Sequence, residues 1–416
     1  MSTTAPASPS EKARHGLSRP QFVAMMSTLM ATIAISVDTI LPAFDEIETE
    51  FGLDPVDSPI SLTVTVFFVA MGVSTLVWGP LADRFGRKPV MFASLGVFVV
   101  GALISTFATS FTMLILGRIV WGAAAAGPRT VILAITRDSY EGDLMSRIMS
   151  LVTAVFLIVP IMAPGLGEVL LLIGSWRLTT AVAAVLAISG GLWFTRLDET
   201  LAVGDVLPLE FGRLAAAAKT VASNRETVLF TIATTFAFGA FFPWLGSSTQ
   251  MISTIFGRPS QFAFLFGANA VIMAIVIVIS ERFVRRFATM PVLVTLMVAK
   301  LVAAIAYVVV ALLADGVPAF WLWFGLVTIL TSFNSASTPL LQTLSLAPMG
   351  AIAGTASSIT GAVIFVGGGL LGSIIDGFIT TTVTAFGVGF AVYTAIGLIA
   401  IAGARSSTSS YKSQTA

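Results

Sequence analysis

The feature that most constrains this chain is a succession of long apolar runs, at 20–43, 59–82, 89–108, 111–136, 146–171, 176–196, 226–250, 260–283, 290–313, 318–344, 350–375 and 383–404. Each is long enough to cross the ~30 Å hydrocarbon core of a bilayer as a helix. Lipid offers the backbone no hydrogen-bonding partner, so such segments must satisfy their own N–H and C=O groups, which a helix does. Composition supports this: only 10% of the 416 residues are Asp, Glu, Lys or Arg, against roughly 25% in soluble domains. The chain is predicted to be an all-α membrane protein with twelve transmembrane helices. Pro339, Pro348 and the glycines 367–369 interrupt the pattern of the last three. The first run is too long for a signal-peptide core and lacks a cleavage context, so it is expected to stay as a span.

The stretch 197–225 is the long polar interruption, and it divides the chain into an N-terminal six-helix half (20–196) and a C-terminal one (226–404). Residues 197–225 read as a cytoplasmic linker in which 210–220 forms a short amphipathic surface helix. The tails 1–19 and 405–416 are expected to be cytoplasmic. Orientation comes from the cations: Lys12, Arg14, Arg19, Arg84, Arg87, Lys88, Arg137, Arg147, Arg196, Arg213, Lys219, Arg225, Arg282, Arg285, Arg286, Arg405 and Lys412 fall on one side of twelve spans, which marks it as cytoplasmic. The first opposite loop, 44–58, carries Asp45, Glu46, Glu48, Glu50, Asp54 and Asp57 instead. A multi-pass protein of a bacterial-type inner membrane, with both termini inside, is expected. A net charge of +1 gives no basic patch for nucleic acid. The absence of cysteine removes disulfide and thiolate chemistry, and the one histidine, His15, lies in the N-terminal arm, so no histidine metal site or catalytic triad is expected within the membrane. No Walker-type phosphate loop is present to drive an ATP-fuelled pump.

Between the second and third runs stands Gly79-Pro80-Leu81-Ala82-Asp83-Arg84-Phe85-Gly86-Arg87-Lys88-Pro89. Charges and helix-breaking residues between two spans require a tight water-facing turn, which glycines allow to be short. A basic cytoplasmic anchor would explain Arg84, Arg87 and Lys88, but not the spacing of the glycines and Asp83. The stretch resembles the signature loop between helices two and three of the major facilitator superfamily, G-x-L-A-D-R-x-G-R-[KR], at every defined position. The resemblance implies two parallel six-helix halves with a substrate cavity at their interface. It also implies that Asp83, with Arg84 and Arg87, ties helix two to helix eleven and stabilises the outward-facing state. Glu281-Arg282-Phe283-Val284-Arg285-Arg286 echoes Asp83-Arg84-Phe85-Gly86-Arg87-Lys88 as an internal repeat that has lost its glycine, and is expected to be structural.

Charges inside spans are the chemical candidates: Asp38, Arg118, Arg129, Glu168 and Lys300, with Asp376 near the end of the eleventh run. Each costs about 2.5–3.5 kcal/mol at mid-membrane, which turns it toward a cavity or a partner. Asp38 stands in Ser36-Val37-Asp38-Thr39-Ile40-Leu41-Pro42-Ala43, which resembles the D-x-x-x-P-A element of twelve-helix drug:proton antiporters, particularly the Bcr/CflA and phenicol exporter branch. That resemblance implies proton coupling, because a carboxyl partly withdrawn from water can exchange a proton near neutral pH. The plainer reading is a helix-terminal carboxylate open to the outer solution. Arg118, in Leu116-Gly117-Arg118-Ile119-Val120-Trp121-Gly122, is similar to the branch's fourth-segment arginine. Arginine keeps its proton, so it can only modulate a nearby acid. Arg129 follows on nearly the same face, and Leu133 stands where relatives of this branch usually carry a further arginine. The alternative for either arginine is a buried pair with Asp38 or Glu168 that only holds helices together.

In the fifth run, Pro160, Pro164 and Gly167 resemble the antiporter signature of exporters, with Ala163 and Glu168 in place of two of its glycines. Glu168 reads either as a second protonatable site or as the outer-end partner of Arg177 in the Trp176-Arg177 pair. In the second half, Phe236, Phe241, Trp244, Asn269 and Asn334, with Arg129 from the first, are the substrate-pocket candidates, against a packing or lipid-facing reading for the aromatics. Lys300 either pairs with an acid of the C-terminal half or snorkels. The expected function is proton-coupled efflux of small lipophilic, hydrophobic or cationic, drug-like compounds by alternating access. No cofactor, metal or nucleic acid is expected, the proton gradient supplies energy, and one chain is the functional unit. Uptake of a small metabolite by the same fold is the alternative.

Overall fold

A computed structural model describes residues 16–54, 58–201 and 211–414. His15, Lys12, Arg14, Asp57 and linker residues 202–210 lie outside them. Twelve helices of 18 residues or more occur among the described residues: α1 (Arg19–Asp38), α3 (Leu62–Phe85), α4 (Arg87–Thr106), α5 (Phe111–Ser139), α6 (Gly142–Ile173), α7 (Arg177–Phe194), α9 (Arg225–Thr249), α10 (Phe262–Phe287), α11 (Thr289–Leu313), α12 (Phe320–Leu346), α13 (Ala353–Asp376) and α14 (Thr384–Gln414). Two shorter ones stand between them, α2 (Phe44–Phe51) in the acidic first loop and α8 (Phe211–Ser223) in the linker. Among the described residues ten helical stretches are long and apolar enough to cross a membrane; α12 is not one of them, and α6 contributes the shorter apolar stretch Ile158–Ile173. The twelfth long helix does not stop near 404 but runs on to Gln414.

Helix packing repeats itself. In the first half α4 and α3 pack on α5, α1 packs on α6 and α7, and α4 packs on α7. In the second half α11 and α10 pack on α12, α9 packs on α13 and α14, and α11 packs on α14. Counting the twelve long helices in order, each pair in one list is matched in the other by a helix six places later. The seams between the halves obey the same rule: α3 packs against α13, and α6 against α10. Each half therefore presents its second helix to the fifth of the other, as a pseudo-two-fold axis between two parallel repeats requires. Close approach along α3 and α13 depends on glycine, since a Cβ on Gly72 would fall 2.7 Å from Phe365 Cβ and one on Gly369 2.8 Å from Val69 Cγ2.

The internal repeat shows up in the backbone in a register different from the one that charge matching predicts. Gly86 is the one residue between α3 and α4, at φ 98° and ψ 158°. The one residue between α10 and α11 is Ala288, at φ 66° and ψ 166°. Arg84-Phe85-Gly86-Arg87-Lys88-Pro89-Val90 thus corresponds to Arg286-Phe287-Ala288-Thr289-Met290-Pro291-Val292. The echo at 281–286 is four residues early, because α10 meets no glycine at Val284 and continues for one more turn.

Candidate functional site

Two connected cavities open between the halves. The first, about 690 Å³, lies at the Gly86 end and is lined on one side by Gly79, Asp83 and Arg87 and on the other by Gly354, Ser358 and Gly361. The second, about 420 Å³, lies deeper, and both share Arg129, Leu133, Gln342 and Phe365, so Arg129 stands at their junction. At the opposite end the halves are sealed. Thr249 Oγ1 donates to Leu41 O at 2.9 Å, Ala263 N donates to Glu168 Oε1 at 3.0 Å, and a Cβ on Gly246 would lie 3.1 Å from Ser61 Cβ. The structure is therefore open at the Gly86 side and closed at the side of α2.

The deep cavity has an aromatic and methionine wall with few polar groups. Of the expected pocket residues, Arg129, Phe241, Trp244, Asn269 and Asn334 line it, and Asp38 from the coupling candidates and Pro160 from the antiporter-like helix line it too. Phe236 does not: it packs edge-on against Tyr393 at 5.3 Å, between α9 and α14. Its place on the wall is taken by Phe238, together with Phe68 and Phe365, whose rings lie 6.0 Å apart in a stack. No spacing in the sequence distinguishes Phe68 or Phe365 from the other aromatic residues of their helices.

Asp38 is the carboxylate of this cavity, 4% exposed, and among the described residues it makes no ion pair within 4.0 Å. Arg118 is fully buried behind it and does not line the cavity. Its Nη1 donates to Ser36 O at 2.7 Å and its Nε to Thr63 O at 2.9 Å, and its guanidinium lies 4.6 Å from the Phe67 ring centroid and 5.1 Å from that of Trp121. Arg118 thus fastens α5 to α1 and α3 through backbone carbonyls rather than through a salt bridge with Asp38 or Glu168.

Glu168 stays away from both cavities, bridging α6 to the start of α10. Arg177 pairs with Glu50 instead, through two bonds of 2.6 and 2.8 Å, and Trp176 Nε1 donates to the same carboxylate at 2.6 Å. Glu50, on the acidic loop helix α2 and 127 residues from Arg177 in sequence, takes the place of Glu168, which sequence spacing favours. Gly167 packs against Thr39 and Pro42, and Pro164 is buried, which lets α6 lie close on α1. Lys300 neither snorkels nor finds an acid: it is 1% exposed and its Nζ donates to Asn334 Oδ1 at 2.9 Å.

At the Gly86 turn, Arg87 is 4% exposed and held between Asp83 at 2.5 Å and Asp138 at 2.9 Å. Glu199, just after α7, accepts from Arg87 N and Lys88 N at 2.9 Å each, satisfying the free N–H groups at the start of α4. Lys88 Nζ donates to Thr195 O at 2.9 Å, and Arg84 is exposed. These contacts stay within the first half and its exit. The tie from this loop to the eleventh span that the motif implies is not made in this state, because the larger cavity lies between them. A Cβ on Gly79 would meet only Thr130, at 3.8 Å.

A family model described as Major Facilitator Superfamily matches residues 24–372. A bicyclomycin resistance protein homolog of Haemophilus influenzae is 27% identical over 358 residues, 85% of this chain and 88% of the relative. Multidrug resistance protein MdtL of Salmonella typhimurium is 27% identical over 206 residues, 49% of this chain and 52% of that protein. Among solved structures, the D-xylose-proton symporter superposes with a TM-score of 0.72 at 13% identity, covering 92% of this chain and 97% of the other. The human organic anion transporter MFSD10 (TETRAN) does so with a TM-score of 0.66 at 17% identity, covering 92% and 99%. These two show the shared fold, and the resistance-protein relatives fit the drug:proton antiporter group that the residues around Asp38 resemble. The chain belongs to the Major Facilitator Superfamily and is a membrane transporter.

Proposed function

We propose that this transporter exports small lipophilic, drug-like compounds in exchange for protons, by alternating access between its two halves. The observation that carries the reading is Asp38: a carboxylate on the wall of a closed-ended, mostly apolar cavity, with no ion-pair partner among the described residues. Such a group is free to bind a proton in one state and to yield it in another. The names of the relatives, a bicyclomycin resistance protein homolog and a multidrug resistance protein, support outward movement of antibiotics. Arg118 cannot carry the proton, but its position between Ser36 O and Thr63 O makes the field at Asp38 depend on how α1, α3 and α5 are arranged.

On this reading the cation-rich Gly86 side faces the cytoplasm of a bacterial-type inner membrane, both termini are inside, and the structure is inward-open. Substrate enters from the cytoplasm or the inner leaflet, the Gly86 end closes, and protonation of Asp38 from outside accompanies release. One proton moving down 100 mV supplies about 2.3 kcal/mol before any pH gradient is added.

Accumulation of labelled antibiotic in inside-out vesicles, with and without a protonophore, tests this for wild type and Asp38→Asn. Protonophore-sensitive accumulation that disappears in the variant is the expected result. Accumulation that ignores the protonophore, or that survives the substitution, would remove Asp38 from the coupling path.

A further inference from the structure

The wall that the second half contributes to the deep cavity carries two asparagines, turned in opposite senses by their neighbours. Lys300 donates to Asn334 Oδ1. An ammonium has donors only, so this bond fixes the amide: its oxygen faces α11, and among the described residues its Nδ2 makes no bond within the protein. Asn334 lines the cavity, so the two N–H donors of that group are available there. Asn269 is reversed. Its Nδ2 donates to Thr328 Oγ1 at 3.3 Å and Thr331 Oγ1 at 3.0 Å. The Thr331 hydroxyl in turn points at Val327 O, 2.9 Å away, in preference to Asn269 Oδ1 at 3.4 Å.

Charge follows the same sense. Lys300 is buried with no carboxylate within 4.0 Å among the described residues, and Arg129 lies over the Phe365 ring at 5.5 Å with none either. Asp38 is the acid of the cavity, and the Arg118 guanidinium stands behind it. Asp376, the other buried acid of the spans, is bonded to Ser247 and does not line the cavity. The cavity is thus surrounded by more cations than acids, in a low-dielectric setting where a charge behind a wall is felt across it.

The geometry points to Lys300 as the positioning residue that sets substrate specificity: by holding the Asn334 oxygen it makes the second half's wall a hydrogen-bond donor surface, which accepts neutral compounds carrying an oxygen acceptor, while the Arg129 guanidinium on the same cavity turns away lipophilic cations. This rests on the export reading above and narrows its substrate class. Lys300 itself touches no substrate. It acts by holding one end of an amide whose other end does.

The test compares uptake of chloramphenicol, a neutral probe with oxygen acceptors, and of tetraphenylphosphonium into inside-out vesicles holding equal amounts of wild type, Asn334→Asp and Lys300→Met. Asn334→Asp keeps an oxygen on the Lys300 ammonium, so the buried lysine stays partnered, while the donor facing the cavity becomes an acceptor. Wild type is expected to accumulate chloramphenicol and to exclude the phosphonium. In Asn334→Asp the KM for chloramphenicol rises roughly tenfold at unchanged maximal rate, as loss of one charge-supported hydrogen bond implies, and the phosphonium becomes a substrate. Lys300→Met raises the same KM by about fivefold. Equal handling of both probes by wild type, or a neutral-to-cation ratio unchanged in Asn334→Asp, overturns the assignment. If wild type accumulates neither probe, that result bears on the export reading and not on the wall. Quenching of tryptophan fluorescence by the two probes in purified protein, where Trp244 lines the cavity, then still decides the selectivity: preference for chloramphenicol that inverts in Asn334→Asp upholds it, and no preference sinks it.

Discussion

The turns at Gly86 and Ala288 have nearly the same backbone and opposite chemical content. Each is a single residue with positive φ between two long helices, preceded by an Arg-Phe pair and followed three residues later by proline. At the first turn, Arg87 is buried between two aspartates and the start of α4 is capped by a carboxylate from beyond α7. At the second, Arg285 replaces Asp83, and Thr289 and Met290 replace Arg87 and Lys88. What remains is Arg286, 5.4 Å above the Phe287 ring, and no ion pair is made there among the described residues. Duplication supplied one backbone solution twice. Among the described residues, the copy bordering the larger cavity is the one that carries a charge network.

The largest expected effect comes from emptying that network. Arg87→Met leaves Asp83 and Asp138 facing each other without the guanidinium. Removing one partner of a buried ion pair costs about 3–5 kcal/mol. The aspartate side chains are 37% and 19% exposed, so solvent screening lowers this to about 2 kcal/mol. A fall in the thermal midpoint of the detergent-solubilised protein, with reduced transport, is expected. The matching change in the second copy, Thr289→Met, is expected to move stability by less than about 0.5 kcal/mol. Equal effects at the two sites would break the comparison.

A smaller effect is expected at Gly86. Its φ of 98° with ψ of 158° lies where only glycine rests without strain, a conformation that costs another residue about 1–3 kcal/mol. A Cβ there would also lie 2.6 Å from Glu199 Oε2. The Glu199 side chain can swing away, but it then leaves Arg87 N and Lys88 N without their acceptor. Gly86→Ala should therefore destabilise by about 1–2 kcal/mol. Glu199→Gln, which keeps the glycine and weakens the cap, should reproduce part of that loss. If Glu199→Gln is silent while Gly86→Ala is not, strain alone distinguishes the first turn.

Most of the architecture is legible in the sequence because bilayer thickness fixes how long an apolar run must be, and because cations mark one side of it. The predicted spans differ from the twelve long helices by a few residues at most ends. The repeat was legible as a fact and misleading as a register. Matching by acid, Arg and Phe puts the second turn at Val284, whereas the chain turns at Ala288, because helix propagation continues until a residue departs from it and composition there gives no warning. The candidate site divides along the same line. Asp38, Trp244, Asn269 and Asn334 stand out as rare polar or bulky groups in apolar runs, and all reach the cavity. Phe236 misses it, since aromatics crowd α9 on several faces and one-helix periodicity does not say which face the partner half takes. The partner of Arg177 was hidden for a different reason: Glu50 and Glu168 are both acids at the end opposite Gly86, and only the fold of α2 brings one of them within 2.6 Å.

The smallest expected effect has the opposite sign, and tests whether the two turns share a conformational demand rather than a shape in common. Ala288 holds a φ of 66° with ψ of 166° while exposed to solvent. The Cβ of an L-residue in that region is in conflict with its own backbone, at about 1–3 kcal/mol. Replacing it by glycine removes the conflict, but glycine also gains freedom in the unfolded chain, which offsets about 0.4–1 kcal/mol. The difference leaves Ala288→Gly more stable than wild type by about 1 kcal/mol. The side chain has no charge and its neighbours Thr289 and Met290 form no network, so transport should not change. A raised thermal midpoint with unaltered transport would show that the second turn inherited the geometry of the first without its glycine. A lowered midpoint would mean that the methyl group packs usefully where it stands, and that the two turns converge on similar angles for different reasons.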